Sequence, residues 1–134
     1  MTPDSSVVVA AFASWNEHHP QAIEALAEHD VEDLVAHAEL ESYSVLTRLP
    51  EPFRAAPELV AEYLHEDFPG GRMALPKRER RELVKQLAAR SISGGAVYDA
   101  LVAVTAAAHG HPLLSCDRRA AAVYAQLDVE VVYL

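Results

Sequence analysis

Apolar residues recur along this chain in two patterns, one with the spacing of helices and one in short continuous runs. Apolar positions three and four apart predict helices, whereas brief apolar runs bounded by polar or turn-forming residues suit buried strands. The helical patterns cover residues 5–12, 19–26, 37–49, 57–68, 76–90, 96–108 and 120–127. The strand patterns cover residues 1–3, 31–36, 113–115 and 129–134.

The order of these elements indicates the fold class. Strands that are separated by helices need crossover connections, which favours a parallel sheet. Such a sheet is apolar on both faces and is covered by helices on both sides. We therefore predict an α/β fold with a central parallel sheet in a three-layer α/β/α arrangement. Because about half of the 134 residues are apolar, enough for one core but not two, residues 1–134 are predicted to form a single domain.

One acidic residue stands out in the most apolar of the predicted helices. Asp99 lies among small apolar side chains in the segment 96–108. Burying an unpaired carboxylate is costly, so such a group is normally paired, hydrogen-bonded, neutral or bound to a metal. The nearest cation in the sequence, Arg90, lies nine positions back and across two glycines. We therefore expect Asp99 to be buried and to meet a partner from another part of the fold.

Two more acidic residues, Glu39 and Glu41, lie near the start of the predicted helix 37–49. They are two positions apart and so point to different faces, which means that at most one of them faces a shared interior site. Glu39 in the first turns has a simpler explanation, because acids there complement the helix dipole. The core positions predicted for this helix are Leu40, Tyr43, Val45 and Leu46.

Three of the acids fall near points where a predicted strand passes into a helix. Asp4 and Asp117 lie at such junctions, and Glu41 lies near the start of a helix that follows a strand. In open α/β sheets, ligands bind beyond the carboxyl ends of the strands. Together with Asp99, these residues place four acids on one rim of the fold. Taken singly, Asp4 and Asp117 also fit ordinary helix N-caps.

Four neighbouring carboxylates repel one another and cannot all ionise unless a cation neutralises them. Carboxylate oxygens are hard ligands that suit Mg²⁺ or Mn²⁺, whereas Zn²⁺ prefers His and Cys. A divalent ion in such a site positions water for in-line attack on a phosphodiester and stabilises the leaving oxygen. The four acids therefore favour metal-dependent phosphodiester hydrolysis.

The charge of the chain is strongly asymmetric. Eleven Lys and Arg against twenty Asp and Glu give a formal charge of −9, which argues against nucleic-acid binding through a broad basic surface. However, residues 77–90 hold six of the eleven basic residues, and the first 47 residues hold none. This basic segment is either a solvated helix face or a patch that faces RNA.

The apolar runs are too short to span a membrane, and no basic segment precedes the first of them. We therefore expect a soluble protein without a membrane partner. Cys116 is the only cysteine, so no internal disulfide can form, which suits the reducing cytoplasm. A soft-metal site formed by His109, His111 and Cys116 is disfavoured, because Gly110 and Pro112 indicate a turn there.

Four blocks of sequence occur in a characteristic order. They are Asp4-Ser5-Ser6, then E-x-x-x-V-L-T-R-L-P in residues 41–50, G-G-x-x-Y-D-A-L in residues 94–101, and L-L-S-C-D-R-R-A in residues 113–120. In these blocks, which extend through nearly the whole chain, the protein resembles PIN-domain ribonucleases, specifically the VapC toxins of bacterial toxin–antitoxin modules. The second and third blocks are the most specific.

The resemblance implies a PIN fold and an Mg²⁺- or Mn²⁺-dependent endoribonuclease, commonly directed at structured RNA such as transfer RNA. It also implies a cognate VapB-type antitoxin as partner. Carried over to this chain, the catalytic acids are Asp4, Glu41, Asp99 and Asp117, with Asp4, Asp99 and Asp117 as metal ligands. Ser6 matches the hydroxyl that supports the first acid, and Arg118 and Arg119 are expected to contact RNA phosphate or brace the site.

Two other functions remain to be weighed against the nuclease. A PIN fold can act as a binding module for RNA or protein without turnover. A phosphate-transfer protein is disfavoured, because Ser6 replaces the second Asp of a D-x-D element and no Lys follows Lys85. A homodimer is also expected, since the first helices and the segment 57–68 carry more apolar surface than a small domain needs.

Overall fold

The computed structural model describes residues 1–134 and contains seven α-helices and five short strands. The strands are β1 (Thr2–Pro3), β2 (Leu34–Val35), β3 (Arg72–Met73), β4 (Leu113–Ser115) and β5 (Val131–Tyr133). The helices are α1 (Ser5–Phe12), α2 (His19–Glu28), α3 (Ala36–Arg48), α4 (Pro57–Glu66), α5 (Lys77–Ala89), α6 (Ala96–Ala108) and α7 (Ala121–Gln126), with a 3₁₀ turn at Arg118–Ala120. None of these helices has both the length and the apolar character required to cross a membrane.

All strand pairs are parallel, as predicted. β4 lies between β1 and β5, and β2 pairs separately with β3. Thr2 is in register with Leu113, and Pro3 with Leu114, so that β1 and β4 end side by side. Because both strands run in the same direction, the residues that follow them emerge at the same edge of the sheet.

Two apolar cores cover the two faces of the strands. Leu114 packs with Leu34 and residues of α1, α2, α3 and α4, whereas the preceding residue of β4, Leu113, packs with Val35 and residues of α6 and α7. Successive strand residues point to opposite faces, so this division defines helical layers on either side of the sheet. The three-layer α/β/α arrangement predicted from the sequence is confirmed.

Instead of one central sheet, the strands form a three-stranded and a two-stranded sheet, and two further departures from the prediction concern a strand and a core residue. β3 was not predicted, because a two-residue strand directly after Gly70 and Gly71 carries no measurable alternation. The assignment of Leu40 to the core was wrong, since its side chain is 67% exposed. Instead α3 buries Ser42, whose hydroxyl donates a hydrogen bond to the Ala38 carbonyl at 2.6 Å and is thereby satisfied.

Candidate active site

Asp4 follows β1 directly and is the N-cap of α1. Its Oδ1 accepts hydrogen bonds from the backbone N–H groups of Ser6 (3.0 Å) and Val7 (3.3 Å) and a short one from the Ser6 hydroxyl. The backbone N–H of Asp4 donates to the Leu114 carbonyl at 2.9 Å, which ties the residue to β4. With only 4% of its surface exposed, Asp4 is held in one orientation by the fold.

The other oxygen of Asp4 is bound by a residue from the last helix. The Tyr124 hydroxyl in α7 donates to Asp4 Oδ2 at 2.9 Å. Burial raises the pKa of Asp4, and the hydroxyls of Ser115, Ser6 and Tyr124 oppose that increase because they stabilise the charged form. Burial and the negative charge of Asp4 in turn raise the pKa of Tyr124 far above its usual value, so Tyr124 stays a hydrogen-bond donor.

Ser6 connects the first acid to the segment that carries Asp117. Its hydroxyl donates to Asp4 and accepts a hydrogen bond from the backbone N–H of Cys116 at 2.8 Å. The Asp117 carboxylate then caps the 3₁₀ turn by accepting from the Arg119 backbone N–H at 2.9 Å, and it contacts Arg119 Nε at 3.2 Å. β1 and β4 thus bring two of the predicted acids to the same sheet edge.

Glu41 reaches the same region from α3, the helix that packs most closely against α1. The Ser5 hydroxyl donates a short hydrogen bond to Glu41 Oε1. His37, one turn earlier in α3, places its Nε2 3.9 Å from Glu41 Oε2. Glu39 points elsewhere and pairs with Arg72, as expected from its position on a different face of the helix.

Asp99 lies in the first turn of α6 and faces the three other acids. Burial and, after it, the negative charges of Glu41, Asp117 and Asp4 together raise the pKa of Asp99 to about 6. The cation that opposes it is Arg119, not Arg90, which instead donates to the Gln126 carbonyl. Asp99 is less buried than expected: its side chain is half-buried, and the fully buried acid is Asp4.

The chemistry of these four side chains fits a hard divalent cation. Every donor is a carboxylate oxygen, and their mutual repulsion is relieved only in part by Arg119. As placed, however, no three of the His, Cys, Asp and Glu side chains form a group that could hold an ion together. The support for a metal is therefore the concentration of negative charge and not a ligand geometry.

Comparison with known proteins identifies the family. The model of the PIN domain matches residues 1–126. The chain belongs to the PIN-domain family. It is 47% identical over 131 residues to Ribonuclease VapC40 of Mycobacterium tuberculosis strains CDC 1551 and H37Rv, which covers 98% of this chain and 96% of the relative. It is 41% identical over 129 residues to Ribonuclease VapC27 of strain H37Rv, which covers 96% and 93%. The resemblance to VapC-type PIN domains is confirmed.

Two basic side chains of this PIN domain lie beside the acids. A cavity of about 540 Å³ is lined by Ser5, Ser6 and Asp117 together with Arg118 and Arg119. The Arg118 guanidinium lies 5.1 Å from the centre of the Tyr133 ring, which orients it, whereas the Arg119 side chain is 94% exposed. The site is therefore acidic at its centre and basic at this margin.

Sequence reasoning missed several residues that position the acids of this PIN domain. Ser5 stands next to the recognised Ser6, but only the α1–α3 packing shows that it bonds Glu41. His37 was visible as a polar residue one helical turn before Glu41. Tyr124 had no signal, since an aromatic residue in a short apolar helix is normally a core residue.

Proposed function

We propose that this PIN domain is an Mg²⁺- or Mn²⁺-dependent endoribonuclease, the toxin component of a type II toxin–antitoxin system. The observation that supports this function is the grouping of Asp4, Asp117 and Glu41 at one sheet edge, close enough to Asp99 for their charges to add to the effect of burial in raising its pKa. Two close relatives with ribonuclease names, matched over nearly their full length, support RNA as the substrate.

In this proposal the four acids have different roles. Asp4, Asp99 and Asp117 would hold the divalent ion, and the chemistry that such an ion would supply is neutralisation of the phosphodiester charge and activation of a water. Asp4 is the fixed member, because protein donors hold both of its oxygens. Glu41, held by Ser5 and close enough for its charge to raise the pKa of Asp99, would accept the proton of the water that attacks phosphorus.

Basic residues at the margins would bind the RNA backbone. Arg118 and Arg119 line one flank of the site. On α5, five exposed basic side chains take no part in any ion pair, namely Lys77, Arg78, Arg80, Arg81 and Lys85. Arg80 lines a cavity that is also lined by His37, and His37 in turn lies 3.9 Å from Glu41. Lys and Arg side chains bind backbone phosphates whatever the base sequence is. They would therefore position the RNA but would not determine which RNA is bound.

The proposed partners of this domain are a second copy and a VapB-type antitoxin. Large apolar side chains are exposed on α2, α3, α4 and the adjoining loops; they are Trp15, Ile23, Leu40, Phe53 and Leu59. Surfaces of this kind mark protein interfaces. Light scattering should give the mass of a dimer for the parent and that of a monomer for Leu59→Arg if α4 contributes to the dimer.

The antitoxin is proposed to silence the site through charge. An Arg or Lys side chain from the antitoxin would neutralise the acids and block metal or RNA. A structure of the complex in which no basic antitoxin side chain enters the acidic site would contradict this mode of inhibition.

The decisive experiment is RNA cleavage by purified protein freed of any antitoxin. We expect endonucleolytic products with Mg²⁺ or Mn²⁺ and none after a chelator is added. Asp99→Asn, which removes the charge and keeps the volume, provides the matched inactive control. Comparing transfer RNA with an unstructured oligonucleotide of equal length tests the proposed preference for structured RNA.

Binding without cleavage would favour the other function considered above. If the protein binds RNA but leaves it intact through long incubation with either metal, the domain is a catalytically silent binding module. Cleavage that persists at the parent rate in a folded Asp99→Asn variant would show that another centre is responsible.

A further inference from the structure

Two aromatic rings are stacked at the surface beside the acidic site. His37 at the start of α3 and Tyr98 at the start of α6 have ring centres 5.2 Å apart and ring planes inclined by only 9°. Tyr98 is 52% exposed. Its hydroxyl makes no hydrogen bond within the protein, and its ring joins none of the apolar cores. The fold therefore gains little from an aromatic residue at this position.

The pair borders the acids on both elements. Tyr98 immediately precedes Asp99 in α6, and His37 approaches Glu41 in α3 to 3.9 Å. His37 is stacked on one face of the Tyr98 ring, and about half of the Tyr98 surface nevertheless stays accessible at 52% exposure. A ligand lying between the acids and α5 would contact this surface.

The charges around the site define what the pair can contribute. The four carboxylates repel phosphate, so RNA affinity close to the reacting bond must come from uncharged contacts or from a bound cation. Base–aromatic stacking supplies such a contact and tolerates any sequence, because every base has a π-face. Beyond the pair, a cavity of about 280 Å³ connects His37 with Leu101, Thr105 and Arg80, which brings the nearest charge of the basic helix to the same side.

We propose that Tyr98, backed by His37, is a nucleobase subsite on which an unpaired base next to the cleaved phosphodiester stacks. This subsite rests on the RNA substrate proposed above, and the part of the RNA that it would bind is a nucleobase. Stacking requires the base to leave its own helix, so the subsite favours loops and single-stranded segments over paired ones.

Binding of two labelled oligonucleotides tests the subsite separately from cleavage. The probes are a fluorescein-labelled single-stranded hexa-adenylate RNA and the same RNA with abasic positions, measured by anisotropy with proteins that carry Asp99→Asn to prevent turnover. We expect Tyr98→Leu to weaken binding of the intact probe about tenfold and Tyr98→Phe to leave it within about twofold. The abasic probe should bind both variants as weakly as it binds the parent.

Phe53→Leu is the matched control, because Phe53 is a similarly exposed aromatic residue whose ring packs, tilted by 46°, against Trp15 beyond the opposite end of α3. It should leave binding of the hexa-adenylate unchanged. The subsite is overturned if Tyr98→Leu binds the intact probe like the parent or if it loses equal affinity for the abasic probe. It is also overturned if the parent shows no measurable preference for the intact probe.

The two proposals fail in different ways. If the parent cleaves RNA, and the Tyr98 variants cleave and bind it equally well, the subsite is wrong and the nuclease function stands. If the parent cleaves no RNA with either metal but shows base-dependent binding that requires Tyr98, the nuclease function is wrong and the subsite stands. Because the Tyr98 ring is half-exposed, both Tyr98 variants are expected to keep the parent melting temperature.

Discussion

Asp4 and Asp99 belong to the same cluster of acids but are held in opposite ways. Asp4 is buried, caps α1 and accepts four hydrogen bonds from Ser6, Val7 and Tyr124. Asp99 is half-exposed, accepts no hydrogen bond from another side chain and faces three other acids. The carboxylate of Asp4 therefore contributes hydrogen bonds that stabilise the fold, whereas the charge of Asp99 lowers the stability of the fold. Substitution of Asp99 should therefore reduce activity alone, whereas substitution of Asp4 should reduce both activity and stability.

The largest expected effect is on catalysis by Asp99→Asn. Substitution of groups that only support a metal ligand commonly reduces activity 10–100-fold, so loss of a ligand itself should reduce RNA cleavage more than about a hundredfold. The fold should persist, because the amide keeps the volume of the carboxylate. Initial rates and a circular dichroism melt on the same preparation measure both. A melting temperature several degrees below that of the parent would contradict the contrast with Asp4.

Asp4→Ala should lose RNA cleavage as well, because Asp4 is also a proposed metal ligand, but it should in addition show a large loss of stability. Removing an N-cap costs about 1 kcal/mol, and leaving buried donors without an acceptor costs about 1–3 kcal/mol more. We expect the free energy of unfolding in urea to fall by about 2–4 kcal/mol. Asp117→Ala is the control, since it removes a more exposed cap and should cost about 1 kcal/mol or less. Equal losses in the two variants would mean that Asp4 is no more structural than Asp117.

Tyr124→Phe tests a single hydrogen bond of Asp4. It deletes the donor at 2.9 Å and leaves the buried ring in place, so unfolding free energy should fall by about 1.5 kcal/mol, as for a hydrogen bond to a charged group. Tyr63→Phe is a matched control, because its hydroxyl donates at 2.8 Å to the neutral carbonyl of Val8. A smaller loss is expected there. A larger loss in Tyr63→Phe would show that the charge of Asp4 adds nothing to the Tyr124 bond.

The smallest expected effect is the pH dependence of stability in metal-free buffer. The pKa of Asp99 is raised from 3.8 to about 6, so the folded protein holds this proton more tightly than the unfolded chain does. Stability contributed by Asp99 is therefore lost as pH rises from about 4 to about 6, and it stays lost above that range. Asp99→Asn should melt at a higher temperature than the parent at pH 7, and the difference should shrink towards pH 4. If the difference in melting temperature instead grows on acidification, the pKa of Asp99 is not raised in the folded protein.

The sequence predicted the elements well where the pattern was long. The apolar run of α6, the basic amphipathic pattern of α5 and the proline-bounded α3 all matched the structure to within a residue or so. These signals are local, because a helix is defined by neighbours three and four positions apart. β3 and the exposure of Leu40 depend on contacts between distant segments, which no local pattern contains.

The same limit explains why Asp99 is less buried than expected. The apolar residues that follow Asp99 line the buried face of α6, whereas Asp99 itself lies in the first turn of that helix. Asp4 showed only an N-cap signal, and its burial follows from α7, which returns to cover it. The identities of the four acids came from recognised blocks of sequence, whereas their burial, partners and charge coupling required the packed fold.

The bond between Tyr124 and Asp4 has a consequence for the synthesis of the protein. It joins residues that are 120 positions apart, from the first helix cap to the last helix. On the ribosome, a nascent chain that lacks α7 leaves Asp4 without one of its donors and one apolar core without Tyr124. Long-range contacts of this kind form late in folding. The acidic site therefore becomes complete only after α7 has been synthesised, and a product of interrupted translation that ends before α7 would lack this support of Asp4.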